Sequence, residues 1–174
     1  METALERFWT PWRMSYILSD KTANSCVFCE KLAQGADHDR ENYILCRGSH
    51  TFAVLNLFPY NNGHLMVLSN EHVGSLEELP PETQAELMHQ VSHLMKLVRQ
   101  AMNADGFNVG INIGKAAGAG IDDHVHIHVV PRWQGDTNFM PVIAEMRVIP
   151  EWLDDTYAKL RALIQESPPP SQAQ

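Results

Sequence analysis

Five short stretches of the chain predict β-strands, because their apolar residues either run together or alternate with polar ones. Four of these stretches lie at residues 43–46, 51–57, 64–68 and 107–114. The fifth, at residues 124–130, alternates histidine with valine and isoleucine. An Asn-Gly pair, which favours a tight turn, stands directly before the third stretch. Connections this short predict an antiparallel meander for the first three strands.

Two longer segments carry apolar residues at helical spacing, which predicts amphipathic helices at residues 81–103 and 151–164. A proline at the start of the first segment suits the first position of a helix. A shorter helix is expected at residues 26–34, and a further strand at 143–148. Together these elements predict an α+β fold, with a central antiparallel sheet of about five strands and helices packed on one face of it.

The chain has 174 residues, a length that suits one domain with a hydrophobic core of its own. We predict an aromatic N-terminal arm at residues 1–25, a single domain at 26–166 and a disordered tail at 167–174. The tail is rich in proline and serine and has no apolar periodicity, which is typical of disordered segments.

The chain is acidic, with a formal net charge of -8. Nucleic acids and anionic membranes favour basic surfaces, so we expect neither as a partner. No apolar run approaches the roughly 18 residues of a membrane-spanning helix, and no signal peptide is visible. The three cysteines are an odd and sparse number that indicates a reducing compartment, and we therefore predict a cytoplasmic protein.

The side chains of His124, His126 and His128 should lie on one face of the last strand, about 6.6 Å apart from one to the next. Neutral imidazole can act both as a metal ligand and as a nucleophile. All three could bind a catalytic metal, or the middle one could act as a nucleophile while its neighbours position phosphate. Packing alone is the least favoured interpretation, because three imidazoles on one face need many hydrogen-bond partners.

Cys26 and Cys29 form a Cys-x-x-Cys pair at the start of the first predicted helix. Two thiols at this spacing can bind one tetrahedral Zn²⁺ if two more ligands are supplied. A redox dithiol and two ordinary cysteines are open alternatives. Since the chain has no second pair of this kind, the remaining ligands would have to be Cys46 or histidines.

A loop of small residues that contains Gly118, Ala119 and Gly120 precedes the histidine strand. Backbone N–H groups in such a loop can form a nest for phosphate oxygens. The strand before the loop contains two glycines, which often mark the close approach of a ligand. The loop has neither a Walker A pattern nor a following helix, so its position beside the histidines is what favours a phosphate site.

The alternation His-φ-His-φ-His-φ-φ at residues 124–130, where φ is apolar, resembles the signature of the histidine triad superfamily. Upstream, Asn56 is followed at family spacing by a proline and by His64, and Asn112 precedes the glycine-rich loop in a similar way. This resemblance covers roughly residues 26–133. It implies the α+β fold of that family and places catalysis in the single domain.

Two flanking segments, at residues 9–17 and 131–139, are similar to the branch of the superfamily that contains bacterial diadenosine tetraphosphate phosphorylases. The resemblance implies an adenine dinucleoside polyphosphate as substrate and inorganic phosphate as second substrate, with ADP and ATP as products. Hydrolysis of the same class of substrate, or of adenosine phosphoramidates, is the near alternative. A nucleotide-binding or scaffold protein with residual activity is the distant one.

In such an enzyme His126 would attack the α-phosphorus and form a nucleotidyl-histidine intermediate. Ala119 and Gly120 stand where many family members carry polar residues, so backbone groups would supply most phosphate contacts there. The resemblance assigns substrate binding to the following residues: Asn56, His64, Asn112, Gly118, Ala119, Gly120 and His128.

The resemblance also implies a structural zinc ion and no organic cofactor. Zinc-containing members are similar in using two N-terminal cysteines, a histidine after the third strand and the first histidine of the triad. In this chain those ligands are Cys26, Cys29, His72 and His124. Members of the family usually dimerise, so a homodimer is expected.

Overall fold

The computed structural model describes residues 26–136 and 149–169. The arm predicted at residues 1–25 and the strand predicted at 143–148 lie outside the described residues, as does the predicted tail beyond Pro169.

The elements found in the described residues correspond to the predicted ones, with ends shifted by a few residues. The α-helices are α1 Val27–Ala33, α2 Pro81–Met102 and α3 Leu153–Glu166. The strands are β1 Ile44–Arg47, β2 Thr51–Leu55, β3 Leu65–Ser69, β4 Gly106–Ile111 and β5 His126–Arg132. The predicted α+β class is therefore confirmed. Among the described helices, none combines the length and apolarity needed to cross a bilayer.

α2 shows how closely local sequence defines an element. The helix has proline in its first turn, where the missing N–H breaks no helical hydrogen bond. The helix ends at Met102, and the next residue, Asn103, is its C-cap with a left-handed φ of 51°. Between these ends, Leu87, Val91, Leu94 and Val98 are buried at helical spacing. They form the apolar face that packs on the sheet.

The strands form one antiparallel sheet in the order β1-β2-β3-β5-β4. β5, the histidine strand, is inserted between β3 and β4 and is hydrogen-bonded on both sides. His128 lies opposite Met66 of β3 and Gly110 of β4. Because pairing on two sides prevents a slip in register, the histidines are held on a defined face.

The two faces of the sheet carry two separate apolar clusters. One lies beneath α2 and α3 and includes Val125, Ile127 and Val129, which alternate with the histidines. The other contains strand residues such as Phe52, together with Phe28 of α1. α1 therefore covers the face opposite to α2 and α3. This corrects the expectation that all helices lie on one face, and the reason is that the apolar Phe28 packs beside the histidines.

Arg47, at the end of β1, anchors α1 to the sheet. Its Nε donates to Asp39 Oδ1 at 2.8 Å, and its two terminal nitrogens donate to the carbonyl oxygens of Leu32 and Gly35 at 3.1 and 3.2 Å. These carbonyls lie at the C-terminal end of α1 and just beyond it, where helical partners are missing. The cysteine-bearing helix is thereby fixed relative to β1.

α3 is attached to β1 by two hydrogen bonds to the strand's backbone. Tyr157 donates its hydroxyl to the Ile44 carbonyl at 3.1 Å, and Arg161 donates to the Leu45 carbonyl at 2.7 Å. The register between β1 and β2 shifts next to these residues. A shift of this kind leaves backbone groups without a ladder partner, and here side chains of α3 occupy the carbonyls.

Candidate active site and metal centre

The side chains of Cys26, Cys29, His72 and His124 converge at the start of β5. Their ligand atoms all lie within 4.8 Å of one another. His124 Nδ1 is 3.4 Å from Cys26 Sγ and 3.5 Å from Cys29 Sγ, and His72 Nδ1 is 3.4 Å from Cys29 Sγ. A tetrahedral ion with bonds of about 2.0–2.3 Å would separate its ligands by about 3.3–3.8 Å. The two-sulfur, two-nitrogen donor set therefore fits a metal ion.

Contacts outside this cluster orient both imidazoles toward it. His124 Nε2 lies 2.9 Å from the Ser69 carbonyl oxygen, which can only accept, so its proton is on Nε2 and Nδ1 has a free lone pair. His72 Nε2 lies 3.7 Å from Asp123 Oδ2. A carbonyl or carboxylate behind a ligating histidine is the usual support for a metal ligand.

The surroundings of the Cys29 thiol disfavour its negatively charged thiolate form unless a cation lies nearby. Burial, and then the neighbouring Cys26, raise the pKa of Cys29 to about 11. A bound metal ion would reverse this effect, because it stabilises the thiolate directly. Cys46, the alternative ligand left open by sequence, lies in the core with Gln90 Nε2 3.4 Å from its sulfur. It is not part of the cluster.

His126 lies next along the strand and is 5% exposed. Its Nδ1 is 2.8 Å from the carbonyl oxygen of His124, so Nδ1 carries the proton and Nε2 has a free lone pair. Burial lowers the pKa of His126 below its usual value, which keeps the ring neutral near pH 7. The geometry therefore leaves a neutral imidazole with a free lone pair on Nε2, which is the form that a nucleophilic histidine requires.

A relay of hydrogen bonds fixes the tautomer of His128. The backbone N–H of Tyr60 donates to His64 Nδ1 at 3.0 Å, so the proton of His64 is on Nε2. His64 Nε2 lies 3.0 Å from His128 Nδ1, which must accept, so His128 carries its proton on Nε2. Burial, and then the neighbouring His126, lower the pKa of His128 to about 4. His128 is thus a neutral hydrogen-bond donor.

Asn56 lies beside the same relay. Its Nδ2 is 3.3 Å from His64 Nδ1, and its Oδ1 accepts a hydrogen bond from the backbone N–H of Phe58 at 2.9 Å. The structure thus brings Asn56 and His64 together next to His128, and His64 contacts His128 directly.

Asn112 comes directly after the end of β4. The last pair between β4 and β5 is Ile111 opposite Ile127. Asn112 therefore follows β4 at the end of the strand where His126 begins β5. Gly118, with φ of 82°, lies close to the Asn112 amide, which is 3.9 Å from the position that a Cβ of Gly118 would take.

The predicted phosphate loop continues after Gly118 with Ala119 and Gly120. Ala119 is partly buried, and Gly120 is exposed. The loop begins with a short 3₁₀ turn at Lys115–Ala117. Exposed backbone of this kind is able to contact phosphate oxygens.

Sequence reasoning missed two aromatic residues around the histidines. Phe28 packs its ring against both His124 and His126, with centroid distances of 5.5 and 5.4 Å. Tyr60 lies against His64 and His128, at 4.8 and 5.9 Å. The position of Phe28 between the two cysteines was the one available signal.

Gly110, one of the two glycines noted in the fourth predicted strand, is opposite His128. A Cβ added there would have no described atom within 4 Å.

Comparisons with known proteins agree with this geometry. A family model described as the HIT domain matches residues 39–135. An AP-4-A phosphorylase of Mycobacterium tuberculosis is 40% identical over 157 residues, which cover 87% of this chain and 80% of that protein. An adenosine 5'-monophosphoramidase of Schizosaccharomyces pombe is 32% identical over 108 residues, covering 62% and 74%. A crystal structure of a zinc-bound histidine triad family protein from Mycobacterium smegmatis superposes with a TM-score of 0.66 and 30% identity, covering 82% of this chain and 94% of that chain.

The histidine strand should make the protein acid-sensitive. Burial lowers the pKa of His124, His126 and His128, the last to about 4, so the unfolded chain binds more protons than the folded one below about pH 6.5. The free energy of unfolding should therefore fall as the pH is lowered from about 7 toward 4. Urea unfolding at a series of pH values measures this, and His128→Gln should make the dependence shallower. If the free energy of unfolding of His128→Gln depended on pH as steeply as that of the wild type, the lowered pKa of His128 would be contradicted.

Proposed function

Because this chain belongs to the HIT domain family, we propose that it is a nucleotidyl transferase that cleaves dinucleoside polyphosphates through a nucleotidyl-histidine intermediate. The favoured reaction is phosphorolysis of diadenosine tetraphosphate to ADP and ATP. One observation carries the proposal: the hydrogen bond between His126 Nδ1 and the His124 carbonyl leaves Nε2 of His126 free to attack phosphorus. The similarity to an AP-4-A phosphorylase supports the choice of substrate.

In the first step, Nε2 of His126 forms a bond to the α-phosphorus and the bond from phosphorus to the bridging oxygen breaks. The imidazole becomes positively charged, and its Nδ1–H remains bonded to the His124 carbonyl, which stabilises that charge. The Nε2–H of His128 is oriented to donate to a phosphoryl or leaving-group oxygen. ATP leaves, and AMP remains attached to His126.

In the second step, an oxygen of inorganic phosphate attacks the same phosphorus and the bond to His126 breaks. AMP is transferred to phosphate as ADP, and His126 recovers its lone pair at Nε2. The Asn112 amide and the backbone of Gly118, Ala119 and Gly120 are proposed to hold the phosphoryl oxygens in both steps. Asn56 is proposed to contact the ribose, where an amide can serve as donor or acceptor.

A second candidate function is hydrolysis, in which water replaces phosphate in the second step and AMP is released. The similarity to an adenosine 5'-monophosphoramidase favours it, because such an enzyme acts on a single-nucleoside substrate. The first step and its residues are the same in both reactions. Only the second nucleophile differs.

Product analysis separates these functions. Incubated with diadenosine tetraphosphate and phosphate, the protein should form ADP and ATP, whereas AMP and ATP would indicate hydrolysis. His126→Ala should lower turnover about 1,000-fold or more, because it removes the nucleophile. His89→Ala, which changes an exposed histidine of α2, should not. Turnover that survives in His126→Ala contradicts the nucleophile assignment, and no turnover by the wild type favours a binding protein.

We also propose that the ion bound by Cys26, Cys29, His72 and His124 is a structural Zn²⁺. The support is the four-ligand donor set and the similarity to a zinc-bound family member. The ion would neutralise the two thiolates and join α1 to the start of β5, so that no position is left for substrate. Thiolate ligands persist in a reducing compartment, which supports a cytoplasmic location.

Elemental analysis tests the zinc assignment. Purified protein should contain about one zinc per chain, since one closed site of four ligands is present. Cys26→Ser should lose the metal and melt at a lower temperature, because binding to the folded state alone stabilises it. Cys46→Ala should retain the metal, since that residue lies in the core. Metal-free wild-type protein, or a Cys26→Ser variant as stable as the wild type, would refute the assignment.

We propose a homodimer formed through β4. β4 is an edge strand of the described sheet, and its Val109 and the nearby Ile113 are 42% and 41% exposed. An exposed edge with apolar side chains favours pairing with another chain. Sedimentation should give a mass about twice the 19.7 kDa of one chain. Val109→Glu should shift it to the monomer, because charge on an edge opposes pairing; a monomeric wild type would disprove the proposal.

A further inference from the structure

Tyr60 lies at the active site, but the mechanism above uses only its backbone. The residue is 50% exposed, although its ring contacts two histidines of the site. The ring is tilted by 39° to the ring of His64 and by 31° to that of His128. One face of the ring is thus directed toward the two histidines.

Four neighbouring rings connect His126 to the surface, and we call His126, His128, His64 and Tyr60 the aromatic cluster. The centroid of His128 lies 4.8 Å from that of His126. His128, His64 and Tyr60 form a triangle, with centroids 5.1, 4.8 and 5.9 Å apart. The other side of His126 is closed, because the buried ring of Phe28 lies 5.4 Å from it. The exposed ring of Tyr60 is therefore separated from His126 by one imidazole, that of His128.

Among the described residues, the sheet surface beside His128 has open space on the β4 side. Gly110 is the β4 residue opposite His128, and a Cβ placed on it would meet no described atom within 4 Å. Any other residue would point a side chain to the face that carries the histidine. Glycine at this position thus leaves room for a ligand beside His128.

We propose that the ring of Tyr60 stacks on the base of the second, leaving nucleoside of a dinucleoside polyphosphate. This inference rests on the proposed function and identifies what selects its substrate class. The α-phosphorus is at His126, and the leaving polyphosphate passes His128, which donates to it. A polyphosphate arm is long enough to bring its nucleoside to Tyr60, whose ring lies 5.9 Å beyond that of His128, whereas a small leaving group such as ammonia is not.

Stacking on an exposed aromatic ring suits this task. It tolerates different bases, because every base has a π-face, and its loss on substitution typically weakens binding about 5- to 100-fold. The chain as a whole is acidic, so attraction of a polyanion by net charge is unavailable for binding the leaving half. An apolar contact with the base avoids that difficulty.

Binding to a catalytically inactive protein tests the inference. In a His126→Ala background, calorimetry measures Kd for diadenosine tetraphosphate and for AMP, which lacks the second nucleoside. Tyr60→Leu should raise Kd for diadenosine tetraphosphate about 10-fold or more and leave Kd for AMP unchanged. Tyr60→Phe keeps the ring and should bind both ligands as the parent does. His64→Gln should not reproduce the selective effect of Tyr60→Leu.

Turnover distinguishes a binding role from a positioning role. With His126 intact, Tyr60→Leu should lower kcat/KM for diadenosine tetraphosphate about 10-fold and leave that for adenosine phosphoramidate unchanged. Equal losses on both substrates would overturn the inference and make Tyr60 a positioning residue for His64 and His128. Unchanged binding of diadenosine tetraphosphate would also overturn it.

The proposed function can fail separately. A wild-type protein that turns over neither substrate refutes the proposed function. Selective weakening of diadenosine tetraphosphate binding by Tyr60→Leu in that same protein still supports the subsite. Conversely, normal phosphorolysis by Tyr60→Leu refutes the subsite and leaves the proposed function intact.

Discussion

The 2.8 Å hydrogen bond between His126 Nδ1 and the carbonyl oxygen of His124 is the contact on which the site depends. It decides the tautomer of His126, and therefore which nitrogen has a free lone pair. The carbonyl belongs to a residue whose side chain is held by other partners: Ser69 on one nitrogen and the two cysteines near the other. His124 thus connects the metal cluster to the proposed nucleophile, because its side chain belongs to the cluster and its backbone carbonyl contacts His126.

On the other side of His126, a backbone group likewise defines the tautomers of two histidines. The Tyr60 N–H defines the proton position of His64, and His64 defines that of His128. Since burial lowers the pKa values of His126 and His128, the site presents oriented, neutral groups. Groups oriented in advance need little reorganisation during reaction, which is the main source of electrostatic catalysis. In the proposed reaction such groups would let an acidic protein act on a phosphoanhydride.

The fold determines how the three histidines are arranged in space. β5 is interior to the sheet, so its side chains are held by strands on both sides. α1 closes one side of His126 through Phe28 and is itself anchored by Arg47, while Gly110 leaves space opposite His128 among the described residues. In the proposed reaction the transferred phosphorus would lie at His126 and the leaving group toward Tyr60.

The sequence by itself determined the strands and helices of the described residues, the shared face of the three histidines and the candidate chelating pair Cys26 and Cys29. The resemblance to the histidine triad superfamily was needed to add His72 and His124 as expected ligands. Period-two alternation defines a strand face, and Cys-x-x-Cys defines a chelating pair, because both are local patterns. The face covered by α1, the tautomers of His64 and His128, and the places of Tyr60 and Gly110 were decided only by tertiary structure. His64 and His128 contact each other across 64 positions of sequence, through the pairing of β3 with β5. Local periodicity tells which way a side chain points, but register between distant strands decides what it meets there.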